Sequence, residues 1–305
     1  MPDLRKILSM TDDELDDLLA LWRDRLKSEG KSHNTIKAYF DAVAAWRHWC
    51  TAGGHDLELT RGGVAAFVAS LRDDGKEAAT ANARHRGLRR FAAFIADEDG
   101  VGDPLAGMRP PKLDRKVVPK LNDDELAALI RACDGKGFRD RRDEAIVRLA
   151  SEAAARAEEL LVLTLDDVDT KRGVAIIRRG KGGVGRVVPF GPKTGLAIGR
   201  YLRMRRMHAR AGEPALWLGE RGKAFGYYGL YGALRRRAER AGIEHFHPHR
   251  LRHTAASRWL RAGGSEGGLM AIAGWRSRDM LDRYVEDTKM ERAAEESRRL
   301  GLGDV

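Results

Sequence analysis

Residues 100–121, "GVGDPLAGMRPPKLDRKVVPKL", carry four prolines in a run otherwise rich in glycine and charge. Proline has no N–H to give a helix or a sheet ladder, and it drives the residue before it out of the helical region. No regular element crosses such a stretch, so the chain is expected to fold as two bodies joined by an extended connector. At 305 residues it is long enough for two separate cores. The reading assigns residues 1–108 to a first domain, 109–121 to a linker and 122–305 to a second domain.

Before the linker, apolar residues recur at spacings of three and four. "TDDELDDLLALWRDRLKSEG" opens on a capping box formed by Thr11 and Glu14. "SHNTIKAYFDAVAAWRHWCTAGG" offers Ser32 or Asn34 as cap and closes on paired glycines. Two further helices are expected near 60–72 and 77–97, making a four-helix unit. After the linker, "NDDELAALIRAC" starts a new helix. One β segment interrupts the helical pattern, with runs 174–178 and 186–190 on either side of a glycine-rich reversal. Basic helices are expected over 192–211 and 229–241, then a histidine-rich helix and a C-terminal helical tail. A mainly α fold with a small β-sheet follows.

Charge is unevenly spread. Residues 1–110 hold 16 Lys+Arg against 18 Asp+Glu, and the remainder holds 40 against 27. A basic second half suits a polyanionic partner. Cys50 and Cys133 stand far apart without a CxxC, which argues against a disulfide framework or a thiolate zinc site. No apolar run approaches the ~20 residues of a membrane span. The N-terminus lacks a signal-peptide core, so a cytoplasmic location with no membrane partner is expected. "GKGGVG", residues 180–185, matches the glycine pattern of a dinucleotide loop but leads into the strand "RVVPF" instead of a helix. It sets Lys181 on a hairpin tip.

"HPHRLRHTAASRWL", residues 247–260, is the densest chemistry in the chain. Pro248 suits a helix start, which puts His249 in a first turn where free N–H groups and the helix dipole attract anions. Arg252 and His253 follow at i+3 and i+4 on the same face. Leu251, Ala255 and Trp259 form a separate apolar stripe that would anchor the helix. The two histidines have a zinc-like spacing, but the zincin pattern needs Glu beside the first, and Arg250 and Arg252 repel a dication. A guanidinium fork flanked by imidazoles better suits a phosphate. A structural helix with solvated charges is the other reading of this segment alone.

Taken in order, the motifs resemble those of the tyrosine recombinases, the phage and Xer-type integrases. "ARAEELLVLTLDDVD" is similar to the family's first box and points to Arg156, with Glu159 and Leu160 behind it. "RGKGGVGRVVPF" resembles the hairpin bearing the family's lysine, here Lys181. "HRLRHT" resembles the box that contributes His249 and Arg252. "AGWRSRDMLDRYVED" resembles the last box, in which Trp275 precedes Tyr284 by nine residues. "SHNTIKAYFDAVAAW" is similar to the opening helix of the family's core-binding domain. The chain departs from the family in its alanines at 153–155, where Thr-Gly-Leu is common, and in Trp275, where His is commoner.

The resemblance implies a helical, SAM-like core-binding N-terminal domain and a catalytic α+β domain. It implies a site-specific recombinase that cuts and rejoins DNA through a 3′-phosphotyrosine, without metal, cofactor or ATP. Arg156 and Arg252 would clamp the phosphate, and Tyr284 would attack it. His249 would hydrogen-bond the phosphate or take the phenolic proton, Lys181 would protonate the departing 5′-oxygen, and Trp275 would donate its indole N–H. Thr35, Lys37, Arg84 and Arg86 are the expected DNA contacts of the first domain. The implied partner is double-stranded DNA at attachment or core sites, held by a homotetramer on two duplexes that close as clamps and pass through a Holliday junction. No arm-binding domain is expected. The leaning is toward a phage or mobile-element integrase, nucleoid-associated or in the host cytoplasm. A Xer-like resolvase of replicon dimers and a type IB topoisomerase-like enzyme stand as alternatives.

Overall fold

The computed structural model describes residues 10–113, 119–178, 185–220 and 224–300. The chain divides into two compact units, Met1–Lys116 and Val117–Val305. The first holds α1 (Asp12–Ser28), α2 (His33–Gly53), α3 (Arg61–Asp73) and α4 (Ala78–Glu98). Thr11 and Glu14 close the expected capping box on α1. Ser32, not Asn34, caps α2 by accepting the Thr35 N–H at 3.2 Å. Gly54, at φ 64°, ends the same helix in the left-handed conformation that glycine reaches without strain. The core is aromatic: Trp22 lies against Tyr39, Phe40 and Phe91, above buried Trp46 and Phe67.

The second unit holds α5 (Asp123–Arg131), α6 (Phe138–Ala153), α7 (Ala157–Leu161), β1 (Val168–Asp169), β2 (Val174–Ile177) and β3 (Arg186–Pro189). It continues with α8 (Pro192–Arg205), α9 (Tyr227–Arg240), α10 (His249–Arg261), α11 (Glu266–Ala273) and α12 (Arg278–Leu300). The sheet is antiparallel in the order β1-β2-β3. Ala175 pairs with Val188 on the buried face, and Ile176 pairs with Val187 on the outer one. Strand β1 lies outside the expected β segment, because two residues are too few to show an alternation.

The helix expected over 192–211 ends at Arg205. That guanidinium turns back onto the carbonyls of Ala211, Glu213, Ala215 and Leu216. The chain beyond it wraps around the side chain instead of extending the helix. Buried ions also tie α9 to α6: Arg237 donates to Asp143 at 3.0 Å and to Asp140 at 2.8 Å, and Arg142 donates to Asp143 at 2.9 Å.

Two apolar clusters flank α10. Leu251 joins the larger one, built on α6, α8 and the sheet. Ala255, Ala256 and Leu260 join a smaller one with Leu269, Trp275, Leu281 and Tyr284. The stripe expected on this helix therefore divides between two cores, while Trp259 is half-buried and donates its indole N–H to the Ser265 carbonyl. In this way α10 is gripped on both sides, while His249 in its first turn stays exposed.

In the first unit α2 and α4 approach closely at Gly87. A Cβ built there would stand 2.4 Å from the Ala42 Cβ and 3.5 Å from the Tyr39 backbone. Gly87→Ala is expected to destabilise the chain by about 1–3 kcal/mol through overpacking, despite alanine's better helix propensity. Urea unfolding measures this, and an unchanged midpoint would refute the close approach.

Candidate active site

Five segments converge on one place: the turn after α6, the N-terminus of α7, the start of β3, helix α10, and the chain from the end of α11 into α12. Arg252 is its centre. The residue is 2% exposed, and its fork donates to the Ala154 carbonyl at 2.6 Å and the Ala273 carbonyl at 2.9 Å. Its guanidinium carbon lies 5.4 Å from the centre of the Trp275 ring. Burial pushes this guanidinium down to about 10, and the nearby charge of Arg156 adds to the effect. The two carbonyls satisfy its hydrogen bonds but bring no negative charge.

Among the described residues this cluster has one carboxylate, and it is shared. Glu159 accepts from the Arg156 backbone N–H at 2.8 Å, from the Arg156 side chain at 2.8 Å and from Arg186 at 2.6 and 3.1 Å. Burial raises the Glu159 carboxyl, but the hydrogen bonds from Arg186 and Arg156 outweigh it and hold the group below its ordinary value. Arg186 also donates to the Ile272 carbonyl at 2.6 Å, tying the start of β3 to the end of α11. Three guanidiniums thus face one carboxylate. Arg156 leaves about 30% of its side chain exposed, so it can still turn toward an incoming anion.

Ala154 explains how the Arg252 anchor forms. It ends α6 at φ 47°, a left-handed conformation that an alanine rarely adopts. The departure from the family pattern at 153–155 therefore bears on backbone conformation. The reversal aims the Ala154 carbonyl at Arg252 and starts Arg156 as the cap of α7.

Trp275 and Tyr284 complete the cluster. Their rings stack at 5.0 Å with 19° between planes, so the indole adjoins both the Arg252 guanidinium and the phenol. Trp275 is 6% exposed, and its Nε1 has no hydrogen-bond partner among the described residues. Tyr284 is 1% exposed. Burial pushes its phenol up to about 12, with Arg252 and Arg283 opposing. Its hydroxyl is hydrogen-bonded to His253 Nδ1. His249 opens α10 on the exposed side and meets the edge of His253, with ring centres 4.4 Å apart. Desolvation, then Arg252, His247 and Arg156, hold His249 below its ordinary value.

Five of the sequence candidates, Arg156, His249, Arg252, Trp275 and Tyr284, are therefore brought together. Lys181 lies outside the described residues. In the first unit, Lys37 donates to Asp41 at 2.7 Å. Asp41 is held low chiefly by that bond and also feels Arg84. Thr35 spends its hydroxyl on Ser32 at 2.8 Å, and Arg86 is exposed. Arg186 was not among the sequence candidates, and His253 was named beside His249 and Arg252 without a role of its own. The signal for Arg186 was a charged residue at the head of an apolar strand, and for His253 its place four residues after His249. Among the described residues no group of three or more His, Cys, Asp or Glu could hold a metal ion.

The fold is a two-domain, mainly helical one whose second unit gathers guanidiniums of a kind that attracts anions. The model of the phage integrase family matches residues 119–291, and that of the phage integrase N-terminal SAM-like domain matches residues 19–99. The tyrosine recombinase XerD of Corynebacterium glutamicum is 32% identical over 287 residues, covering 89% of this chain and 93% of the relative. Among solved structures, a XerH site-specific recombinase bound to a palindromic difH substrate superposes with a TM-score of 0.73 at 17% identity, covering 94% of this chain and 84% of that one. A lambda integrase dimer bound to a core site gives 0.68 at 19%, covering 88% and 94%. At these identities the structural likeness is one of fold. The chain belongs to the phage integrase family of tyrosine recombinases. It is an enzyme that cleaves and rejoins DNA strands by phosphoryl transfer.

Two outcomes follow from this geometry. Glycine at 154 relieves about 1–2 kcal/mol of left-handed strain, offsetting a lost buried methyl of about 0.8 kcal/mol and a looser unfolded chain. Ala154→Gly should then stay within about 1 kcal/mol of the parent, while Ala153→Gly, helical and equally buried, costs about 1–2 kcal/mol. Equal losses at both positions would refute the strain. The second outcome concerns acid. Desolvation, then the imidazoles of His249 and His247 and the guanidiniums of Arg252 and Arg283, lower His253 from 6.5 to about 3. Between those values the unfolded chain binds a proton that the folded one refuses, so stability falls as pH drops. At pH 5 the loss is about 2 kcal/mol. Urea midpoints at pH 7 and 5 should converge in His253→Asn by that amount; an unchanged pH dependence contradicts a neutral buried imidazole.

Proposed function

We propose that this enzyme acts at specific DNA sites through a 3′-phosphotyrosine formed on Tyr284, and that its role is integration and excision of a phage or mobile element. The observation that carries the chemistry is the charge imbalance around Arg252: three guanidiniums against the single carboxylate of Glu159, with a stacked phenol beside them. A phosphodiester repels nucleophiles, and its pentacoordinate transition state gathers further negative charge. Arg156 and Arg252 clamp the non-bridging oxygens and stabilise that charge. The Tyr284 oxygen attacks phosphorus as His249 takes the phenolic proton, the bond to the 5′-oxygen breaks, and Lys181 supplies the proton that oxygen takes. His249, exposed in the first turn of α10, is also placed to hydrogen-bond the phosphate. The unpartnered Trp275 indole N–H donates to the same phosphate. The covalent link conserves the bond energy, and a 5′-hydroxyl from a partner duplex reverses the step.

Thr35, Lys37, Arg84 and Arg86 of the first unit contact the duplex backbone, and binding weakens as salt rises. Four copies assemble on two duplexes, in the cytoplasm where chromosomal DNA lies. Among the described residues no helix is long and apolar enough to cross a membrane. Trp275 in place of the commoner His supports the integrase role. A Xer-like role in resolving replicon dimers is the second reading, favoured by the near full-length match to XerD.

A nicked suicide duplex carrying candidate attachment sites tests the chemistry. The expected result is a denaturation-resistant protein–DNA adduct, lost in Tyr284→Phe with DNA affinity kept, and formed about 10²–10³-fold more slowly in Arg252→Ala. An adduct that survives Tyr284→Phe refutes the assignment. Supplying the sites on two plasmids or as repeats on one separates the two biological roles.

A further inference from the structure

The chemistry proposed for Tyr284 leaves His253 unused, yet His253 holds the hydroxyl that must react. The Tyr284 ring is fixed in plane by Trp275, at 5.0 Å. Its backbone carbonyl accepts from Thr288 Oγ1 at 2.8 Å, and Thr288 is fully buried. Neither constraint sets where the hydroxyl points. The partner that sets it is His253 Nδ1, with the two ring centres 5.5 Å apart.

The roles in this hydrogen bond follow from the surroundings. Among the described residues the ionised groups around His253 are the guanidiniums of Arg252 and Arg283, and besides Tyr284 its titratable neighbours are the imidazoles of His249 and His247; all four oppose a charge on the ring. The imidazole is therefore neutral, and its one hydrogen lies on one nitrogen only. The phenol is protonated, because burial disfavours phenolate. The phenol O–H then donates, Nδ1 accepts, and the imidazole hydrogen sits on Nε2.

We propose that His253 is a positioning residue for the nucleophile: as a neutral acceptor it aims the Tyr284 hydroxyl into the site formed by Arg156 and Arg252. This rests on the assignment of Tyr284 as nucleophile. Such a role differs from that of His249, which faces the solvent side and the phosphate. It makes the hydroxyl direction depend on one side chain of α10, the helix that also supplies Arg252. Nucleophile and clamp are thus registered to each other through one rigid element.

The test uses single-turnover cleavage of the suicide duplex by the full-length chain. His253→Leu keeps bulk and removes the acceptor; His253→Asn places an amide oxygen near the position of Nδ1. Leu is expected to slow adduct formation about 10–100-fold, the rate equivalent of one hydrogen bond of about 1.4–2.8 kcal/mol. Its DNA affinity should stay within about twofold. Asn is expected to restore the rate to within about fivefold of the parent. Should the Leu variant not fold, His253→Gln, whose amide reaches past the Nδ1 position, takes its place with the same slow rate expected. Leu at the parental rate, Leu faster than the parent, or Asn as slow as Leu each overturns the proposal. Tyr284→Phe, run in parallel, separates the two failures. Loss of the adduct there with no His253 effect sinks only this inference, and a surviving adduct removes the nucleophile assignment and this inference with it.

Discussion

The architecture of the second unit depends on an arginine held almost out of water without a carboxylate of its own. Arg252 reaches two backbone carbonyls, and these answer its hydrogen bonds while leaving its charge uncompensated. The nearest acid, Glu159, is spent on Arg156 and Arg186. A buried cation in that state is costly, and the cost falls when an anion enters. Guanidinium charge concentrated in this way attracts anions.

Keeping that arrangement requires other local compromises. Ala154 takes a left-handed backbone so that its carbonyl meets Arg252. Trp275 is buried with an indole N–H that no described residue receives. Tyr284 is sunk to 1% exposure beside it. Strain, an orphan donor and a buried titratable group gathered in one place are what a functional site shows when the rest of the domain over-determines its geometry. That rigidity comes from the two cores gripping α10 and from Arg186, which joins β3 to the end of α11.

Much of this was legible beforehand, for local reasons. The prolines of residues 100–121 and the caps at Thr11 and Ser32 act over a few residues, so their consequences can be read in place. The resemblance to the family's ordered motifs picked out Arg156, Lys181, His249, Arg252, Trp275 and Tyr284, because each stands in a short motif that can be matched in place. Arg186 escaped notice since an arginine ahead of a strand is ordinarily surface. The end of α8 escaped notice because Arg205 is satisfied by carbonyls further along a loop, not by its own helix. His253 was visible as a neighbour of His249, but its partner was not.

By itself the sequence determined two bodies, their helical periods and the hairpin, since these depend on backbone sterics and short-range spacing; the candidate site residues were read through the family resemblance. Only the tertiary structure decided that Arg252 is anchored by a carbonyl 98 positions away and that the Tyr284 hydroxyl, 31 positions from His253, is held by that imidazole. Such pairings arise when separate helices pack together. The free energy that selects them is spread over whole cores, and no local pattern in the chain records it.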